Sequence, residues 1–440
     1  MFLVSISLFA AKQDLHFERV IFFGDSLSDT GNFPEPNNYD SSTVPPYNLY
    51  IPISSPVKST EYGNEFIVPQ TTDVSWRYPT KLFLEESSSL KQGLIDRKTK
   101  DYRSINWVEY FVFNSFSSNS AKLIPWTVLY NASDAPNKQT SVNYAWVWAM
   151  TIDGFSNLYY KPINTKNEKE LNERKQAYLN GNINIDQVAI PGVRKQVSMY
   201  FNDLKTGKIK RNNNTAYIIY IGGNDLSNTL NNDLMKLHVN KFLKTIGSVS
   251  FPGIMAMNVK NAVDEIIAKG HAKNIYIVSF LNASNLPRAY NTFSLAPGRW
   301  LLKKLITASV TSYNRQLADI FSAKSYESIV KVLPLGDALN RLASQPRFVQ
   351  SVKNGLSCVS EINTSTKPKP EINNCNYNTD ETYFAWNDSH LSTKVNQYAA
   401  YQIYNDIVND HNTPKPKSNP AEDKKLQKFV GLFEERSKMK

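Results

Sequence analysis

The sequence contains few cysteines and few histidines, and it has no long hydrophobic run. Two cysteines and five histidines occur in 440 residues. No stretch approaches the roughly 20 consecutive apolar residues that a membrane-spanning helix needs. Two cysteines without a neighbouring pair of histidines make a poor zinc site. Because hydrophobic residues make up 41% of the chain and charged residues 20%, wholesale disorder is excluded and a real core is expected.

The net charge is +11, and the basic residues are spread along the chain with a cluster near its C-terminal end. No basic stripe is interleaved with a nucleic-acid-binding motif, so we expect no nucleic-acid partner. The positive net charge is also consistent with binding to an anionic membrane surface, or with a host whose proteins are generally basic.

The two ends of the chain differ from its middle. Residues 1–11 are apolar and end in two alanines, like the core and cleavage site of a signal peptide, although they lack a positive n-region. We expect a secreted or extracytoplasmic protein, with an extra strand or a truncated leader as the alternative. Residues 409–440 contain a proline-rich linker and a short basic amphipathic helix. This tail is expected to bind a membrane surface or a partner, or to dock back on the domain.

An even number of closely spaced cysteines in a chain with a signal-like N-terminus favours a disulfide between Cys358 and Cys375. The loop that this bond closes, residues 359–374, is polar and contains a Lys-Pro-Lys-Pro run. We therefore expect the loop to be exposed.

Apolar segments alternate with helical patterns through the middle of the chain. Buried strands are predicted at 20–23, 217–221, 275–278 and 329–333. Helices are predicted at 105–111, after 191–192, at about 259–268, 313–321 and 393–408. This alternation predicts an α/β fold with a central parallel sheet flanked by helices. The residues between about 33 and 89 have no clean period and are expected to form long loop insertions.

The rest of the chain is organised around residues 20–32, VIFFGDSLSDTGN. Gly24 and Asp25 end the strand, and Ser26 stands where we expect the chain to turn into a helix. A serine there lies at the carboxyl end of a strand, where open α/β sheets bind ligands. Two interpretations are equally balanced: a nucleophile, or an N-cap residue that forms a capping pair with Asp29.

A nucleophilic serine needs a base, and position separates the five histidines. Four lie before the first strand, in helical patterns or beyond the last helix: His16, His238, His271 and His411. His390 lies in a loop just before the final helix, with an acid nearby that could fix its tautomer. We therefore expect His390 to accept the serine proton, with a surface loop residue as the alternative.

Acyl transfer also needs hydrogen-bond donors for the oxyanion. Asn224 follows a buried strand and two glycines, so its amide could reach the same crevice as the backbone N–H of Ser26. The alternative role for Asn224 is turn formation, because Gly-Gly-Asn-Asp is a turn sequence in its own right.

Three blocks in this order resemble blocks I, III and V of the GDSL (SGNH) lipases and esterases: residues 24–27 (GDSL), residues 222–225 (GGND) and the loop around His390. Residues 106–110 (NWVEY) are similar to the branch that includes bacterial phospholipases A, lysophospholipases and glycerophospholipid–cholesterol acyltransferases. The resemblance covers residues 18–408. It implies a three-layer flavodoxin-like fold and neither a metal nor an organic cofactor.

The chain departs from the family's pattern at two places. The glycine pair of block II falls on Val147 and Trp148, so the resemblance assigns the oxyanion role to the Trp148 N–H. The large side chain there must point away from the acyl pocket or reshape it. In block V the family's acid falls on Asn387, and Asp388 follows it. We favour Asp388 as the residue that orients the histidine, with Asn387 or a backbone carbonyl as the alternative.

These observations predict a serine hydrolase that releases fatty acids from phospholipids or lysophospholipids through an acyl-Ser26 intermediate. Transfer to an alcohol such as a sterol is expected if that alcohol competes with water. Two alternatives stay open: a carbohydrate acetylesterase of the same fold, and a catalytically weak homologue that binds lipid or a partner. A further hypothesis is that the cysteine loop caps the site until it is cut.

Overall fold

The structure is a computed structural model that describes residues 15, 17–30, 32, 57–58, 67–68, 106–115, 123–132, 134–159, 187–229, 250–291, 296–357, 359–360, 371–372, 382–386 and 389–410. In this part of the chain the strands are β1 (Arg19–Gly24), β2 (Val57–Lys58), β3 (Ile67–Val68), β4 (Leu123–Pro125), β5 (Ser141–Asn143), β6 (Phe155–Tyr159), β7 (Gln187–Pro191), β8 (Thr215–Tyr220), β9 (Asn274–Val278), β10 (Val330–Leu333), β11 (Val359–Ser360) and β12 (Glu371–Ile372). The helices are α1 (Trp107–Ser115), α2 (Trp126–Asn131), α3 (Val193–Lys205), α4 (Gly223–Thr229), α5 (Ser250–Gly270), α6 (Pro287–Asn291), α7 (Ala296–Phe321), α8 (Leu335–Ala343), α9 (Pro346–Asn354) and α10 (Thr393–Asp410).

Six of these strands form one sheet in the order β10-β9-β8-β1-β5-β4, and every neighbouring pair is parallel. The chain starts with β1 in the middle and adds β4 and β5 on one side. It then adds β8, β9 and β10 on the other side. Ligands of open parallel sheets bind beyond the carboxyl ends of the strands, at the point where the strand order reverses. That point is the carboxyl end of β1, which Asp25 and Ser26 directly follow.

Neighbouring residues of β1 anchor helices on opposite faces of the sheet, because successive strand side chains alternate. The Phe22 ring makes edge contacts with Trp107 and Phe111 of α1. The Phe23 ring packs on Tyr144 and on Tyr200 of α3. Helix α10 packs on α1, while α5 packs on α3 and α7 packs on α5. Helices therefore cover both faces, and β1 is buried along its whole length.

The parallel sheet and its flanking helices confirm the predicted α/β fold. The four buried strands are confirmed as β1, β8, β9 and β10, with ends that differ by one or two residues from the prediction. The helix after residues 191–192 is confirmed as α3, with Gly192 as its N-cap. None of the described helices combines the length and the apolar character that crossing a membrane requires.

Two helices start much earlier than predicted. Helix α5 starts at Ser250 instead of 259, and α7 starts at Ala296 instead of 313. In α7 the buried residues Leu302, Ile306 and Val310 continue the apolar face upstream of residue 313. Adjacent lysines and an exposed tryptophan obscure that face in the sequence.

Several short elements were not predicted: β4, the antiparallel pair β6–β7, and helices α2, α8 and α9. Strands of three to five residues and helices of six to nine residues are too short to give a strong periodic signal. The last helix ends at Asp410, so it overlaps the predicted start of the tail at 409. Residues 1–11, residues 411–440 and most of 33–89 lie outside the described residues.

Candidate active site

Ser26 lies in a tight turn, residues 25–30, at the carboxyl end of β1. The backbone carbonyl of Asp25 accepts hydrogen bonds from the N–H groups of Ser28 (2.9 Å) and Asp29 (3.0 Å). The Asp25 Oδ1 atom accepts a third, from the Leu27 N–H (3.0 Å). Asp25 therefore caps the turn, and the interpretation of Ser26 as an N-cap is wrong. The expected helix is also absent from the described residues 26–30, which form a turn.

Ser26 itself is partly exposed, whereas its neighbours in the turn are buried. Within the described residues, neither its N–H nor its hydroxyl group makes a hydrogen bond. Buried polar groups usually have protein partners, so groups without one are expected where water can reach them. The serine that the sequence analysis singled out is thus partly exposed at the expected edge of the sheet.

Gly24 is held by a glutamine from α3. The Gln196 side chain accepts a hydrogen bond from the Gly24 N–H and donates one to the Gly24 carbonyl, both at 2.9 Å. A Cβ atom at position 24 would collide with the carbonyl oxygen of Tyr220 on the neighbouring strand. Close packing of β1 on β8 therefore requires glycine here, and Gln196 fixes where the Ser26 turn begins.

The segment after β5 wraps around the Ser26 turn through buried amide side chains. The Asn143 amide donates to the Ser28 carbonyl (2.6 Å). The Asn32 amide donates in the opposite direction, to the carbonyls of Asn143 (2.7 Å) and Ala145 (2.8 Å). Both asparagines are fully buried. Because these amides replace the water that the carbonyls lose on burial, the two segments are held in fixed relative positions.

Trp148 has a backbone φ of +66°, in the left-handed region. Amino acids with a Cβ atom rarely adopt it, and the steric cost is about 1–2 kcal/mol. The conformation is held from both sides, since the Val147 N–H donates to Asp29 Oδ2 (2.8 Å) and the Ala149 N–H donates to the Trp146 carbonyl (3.1 Å). Within the described chain the Trp148 N–H makes no hydrogen bond. The backbone at position 148 therefore has a conformation that glycine adopts most readily.

Replacing Trp148 by glycine and, separately, by alanine tests this strain. Both variants lose the indole, so the difference between their free energies of unfolding reports the backbone strain at position 148. We expect the glycine variant to be more stable than the alanine variant by about 1 kcal/mol, because only glycine adopts a positive φ without a steric penalty. Urea unfolding of the two variants measures the difference. Equal stability, or a more stable alanine variant, would show that position 148 has no left-handed requirement.

Asn224 lies in the first turn of α4 and faces the Trp148 segment. Its Nδ2 atom donates to the Ala149 carbonyl (2.9 Å). The preceding Gly223 N–H donates to Asp25 Oδ2 (3.4 Å), which connects α4 to the Ser26 turn. A primary amide has two N–H donors, and Ala149 uses one of them. The second N–H of the amide makes no hydrogen bond within the described residues.

Two buried carboxyl groups support this arrangement. Burial raises the pKa of Asp25 to about 7, although hydrogen bonds from the Leu27 and Gly223 N–H groups oppose the rise. Burial also raises the pKa of Asp225 to about 6, opposed by hydrogen bonds from Thr151. Both values exceed 3.8, the ordinary value for aspartate. The folded protein therefore binds more protons than the unfolded chain above about pH 4, and these groups make stability fall as the pH rises towards 7.

His390 lies in a bend directly before α10. Its carbonyl accepts a hydrogen bond from the Trp386 N–H (2.8 Å), and its Nε2 atom is buried. The adjacent Ser389 hydroxyl accepts a hydrogen bond from Arg288 of α6 (3.3 Å). Asn387 and Asp388 lie outside the described residues, so the choice between them as orienting residue stays a prediction. No hydrogen bond joins Ser26 to His390 within the part of the chain that is described.

Two buried asparagines connect the His390 bend to the Ser26 turn. Asn396 of α10 donates to the Leu391 carbonyl (3.0 Å) and accepts a hydrogen bond from the Trp107 N–H (3.3 Å). Asn106, which directly precedes Trp107 in the sequence, donates to the Leu27 carbonyl (3.0 Å). The residues after Ser26 and after His390 are thus joined through the start of α1. The sequence analysis missed Asn396, because no local pattern in the sequence marks it.

Burial, and next the positive charge of Arg288, lower the pKa of His390 from 6.5 to about 4. A histidine with such a pKa is neutral at neutral pH and can accept a proton. We expect the kcat/KM for a soluble ester to stay constant down to a pH well below 6.5. Replacing Arg288 by glutamine keeps a donor for Ser389 and removes the charge, so the acidic limb should move to higher pH. A pH–rate profile of each protein measures the position of its acidic limb.

The matched control for that profile is Lys273→Gln, which removes an exposed positive charge next to the amino end of β9, at the opposite edge of the sheet. Its acidic limb should coincide with that of the unchanged protein. An acidic limb that does not respond to Arg288→Gln would show that His390 does not feel this charge.

No protein-family model and no curated protein sequence matches the chain. Among the described residues, no group of His, Cys, Asp and Glu side chains is arranged to hold a metal ion. Cys358 and Cys375 lie outside the described residues, so the disulfide and the capping loop stay predictions. Strand β11, which directly follows Cys358 in the sequence, pairs antiparallel with β12, which ends three residues before Cys375.

Proposed function

We propose that the protein is a serine ester hydrolase of the GDSL (SGNH) type that releases fatty acids from phospholipids or lysophospholipids. The observation that carries the proposal is the environment of Ser26. Its hydroxyl and N–H are open at the carboxyl end of β1, and the Trp148 N–H and Asn224 amide are fixed beside the same turn through Asp29, Ala149 and Gly223. A nucleophile surrounded by positioned donors is what acyl transfer requires.

In the proposed reaction His390 accepts the proton of the Ser26 hydroxyl while Oγ bonds to the ester carbonyl carbon. The negative charge that develops on the carbonyl oxygen is stabilised by the Ser26 N–H, the Trp148 N–H and the Asn224 amide. The intermediate then breaks its bond to the alcohol, which leaves with the proton from His390. Water attacks the acyl-Ser26 ester by the same steps and releases the fatty acid.

The finer features of the proposal rest on the sequence resemblance. They are the flavodoxin-like SGNH fold over residues 18–408, Asp388 as the residue that orients His390, and a secreted or extracytoplasmic location. Transfer of the acyl group to an alcohol such as a sterol uses the same intermediate and needs only a competing acceptor. Burial keeps the His390 imidazole neutral at neutral pH, which is the form that can accept a proton.

The test is fatty-acid release by the purified chain from phosphatidylcholine and from lysophosphatidylcholine, measured by mass spectrometry. A fluorophosphonate probe, which reacts with activated serines, is added in parallel. We expect release of long-chain fatty acid and one phosphonyl adduct on Ser26. Release of acetate alone from acetylated sugars would favour the carbohydrate esterase, and neither release nor adduct would overturn the hydrolase proposal.

A further inference from the structure

Exposed apolar residues and positive charges meet at the start of α7. Trp300 is 62% exposed and Leu301 is 47% exposed, which is high for large apolar side chains. The Lys304 ammonium lies 5.1 Å from the centre of the Trp300 ring. Arg299 and Lys303 lie 4.4 and 5.5 Å from the centre of the Tyr290 ring on α6. We call this surface the α6–α7 corner; it consists of Tyr290, Arg299, Trp300, Leu301, Lys303 and Lys304.

Lys303 and Lys304 form no ion pair with any carboxylate of the described residues. Burial, and next the charge of Arg299, lower the pKa of Lys303. Among the described residues, the ion pairs join Arg194, Lys260 and Lys269 to acids elsewhere and none includes Lys303 or Lys304. These two lysines therefore offer an anionic partner positive charge that no described carboxylate neutralises.

The α6–α7 corner projects beyond the edge of the sheet that carries Ser26. Within α7, the Tyr313 hydroxyl donates to the Ile221 carbonyl directly after β8, and Asn314 bonds both backbone groups of Phe280 directly after β9. This part of α7 is level with the carboxyl edge of the sheet. Trp300 precedes Tyr313 by 13 residues, which at the helical rise places it about 20 Å further out.

The same corner is adjacent to the catalytic bend. Helix α6 carries both Tyr290 of the corner and Arg288, which donates to Ser389 next to His390. A surface that touches the α6–α7 corner would therefore lie beside the entrance to the proposed active site.

We propose that the α6–α7 corner is the surface by which the protein docks on an anionic phospholipid bilayer. Tryptophan prefers the boundary between lipid headgroups and acyl chains, and lysine and arginine are attracted to anionic headgroups. Leu301 adds apolar area that inserts beside the indole. The inference deepens the proposed function and rests on it, since docking there presents membrane lipid to Ser26.

The experiment measures sedimentation of the full chain with vesicles of equal parts phosphatidylcholine and phosphatidylglycerol, and with vesicles of phosphatidylcholine alone. We expect tighter binding to the anionic vesicles. Replacing Lys303 and Lys304 together by glutamine should weaken binding to the anionic vesicles by about 30-fold. Each lysine near an anionic surface strengthens binding by roughly fivefold to sixfold, and the two factors multiply. Replacing Trp300 and Leu301 together by serine should weaken binding to both kinds of vesicle.

Matched controls come from other surfaces of the protein. Lys273→Gln with Lys324→Gln removes two exposed charges near the amino edge of the sheet. Ile254→Ser removes an apolar residue of similar exposure, 58%, on α5. Both controls should bind vesicles like the unchanged chain, and thermal unfolding checks that every variant is folded.

Vesicle binding needs no turnover, so the two proposals fail in different ways. If the corner variants bind as tightly as the unchanged chain, or if the controls lose binding to the same extent, the docking inference is overturned whether or not fatty acid is released. If the corner variants lose binding and the controls do not, the docking surface is established. The hydrolase proposal is then judged on fatty-acid release alone.

Discussion

Replacing Ser26 by alanine is expected to lower kcat for fatty-acid release by about 10⁴-fold or more, because the acyl-enzyme intermediate cannot form. The Ser26 hydroxyl makes no hydrogen bond within the described residues, so its removal should leave the fold and its stability unchanged. Loss of activity without loss of stability is the signature of a nucleophile. Rates of release and urea unfolding of the same preparation measure the two quantities.

Replacing His390 by alanine should cause a loss of similar size, since the serine then lacks a base. The effects of replacing residues that act as a unit are not additive. The variant that lacks both Ser26 and His390 should therefore be about as slow as either single variant. Multiplied losses in the double variant, or release that survives in Ser26→Ala, would contradict the assignment of these two residues to one reaction step.

Replacing Asn224 by alanine is expected to lower kcat by about 10²- to 10³-fold, which is the usual effect of removing one oxyanion donor. The donor acts on charge that exists only in the transition state, so KM should change little. Asn224 also donates to the Ala149 carbonyl, and its loss could simply loosen the segment that carries the Trp148 N–H.

Thr151→Val separates these two roles. The Thr151 hydroxyl fixes the same segment through Asp225 (2.7 Å) but is not assigned a contact with substrate. If Asn224 donates to the oxyanion, Thr151→Val should cost far less activity than Asn224→Ala. Equal losses in the two variants would mean that Asn224 has only a structural role.

The position of the Ser26 turn could be predicted because its signals are local. Four consecutive apolar residues that end at Gly24 describe a buried parallel strand, and the serine after it must lie at a carboxyl edge. The capping role of Asp25 was missed, because serine and aspartate are both good caps and the sequence does not say which one faces the backbone.

Features that depend on distant contacts could not be predicted. The left-handed backbone of Trp148 is held by Asp29, more than 100 residues away in the sequence. Asn396 joins two turns that no sequence pattern connects. The upstream half of α7 was missed because exposed Trp300 and Leu301 break its amphipathic pattern. These exposed residues are the ones to which we assign membrane docking.

The bridge from Leu391 through Asn396 and Asn106 to Leu27 also has a consequence for biosynthesis. A ribosome delivers the Ser26 turn early and α10 near the end, and domains generally acquire their structure as the chain emerges. Helix α10 and the start of α1 must both be in place before the bridge can form. Under the proposed mechanism, a nascent or prematurely terminated chain would carry Ser26 without the histidine that we propose as its base. We expect such a chain to be unable to hydrolyse lipid.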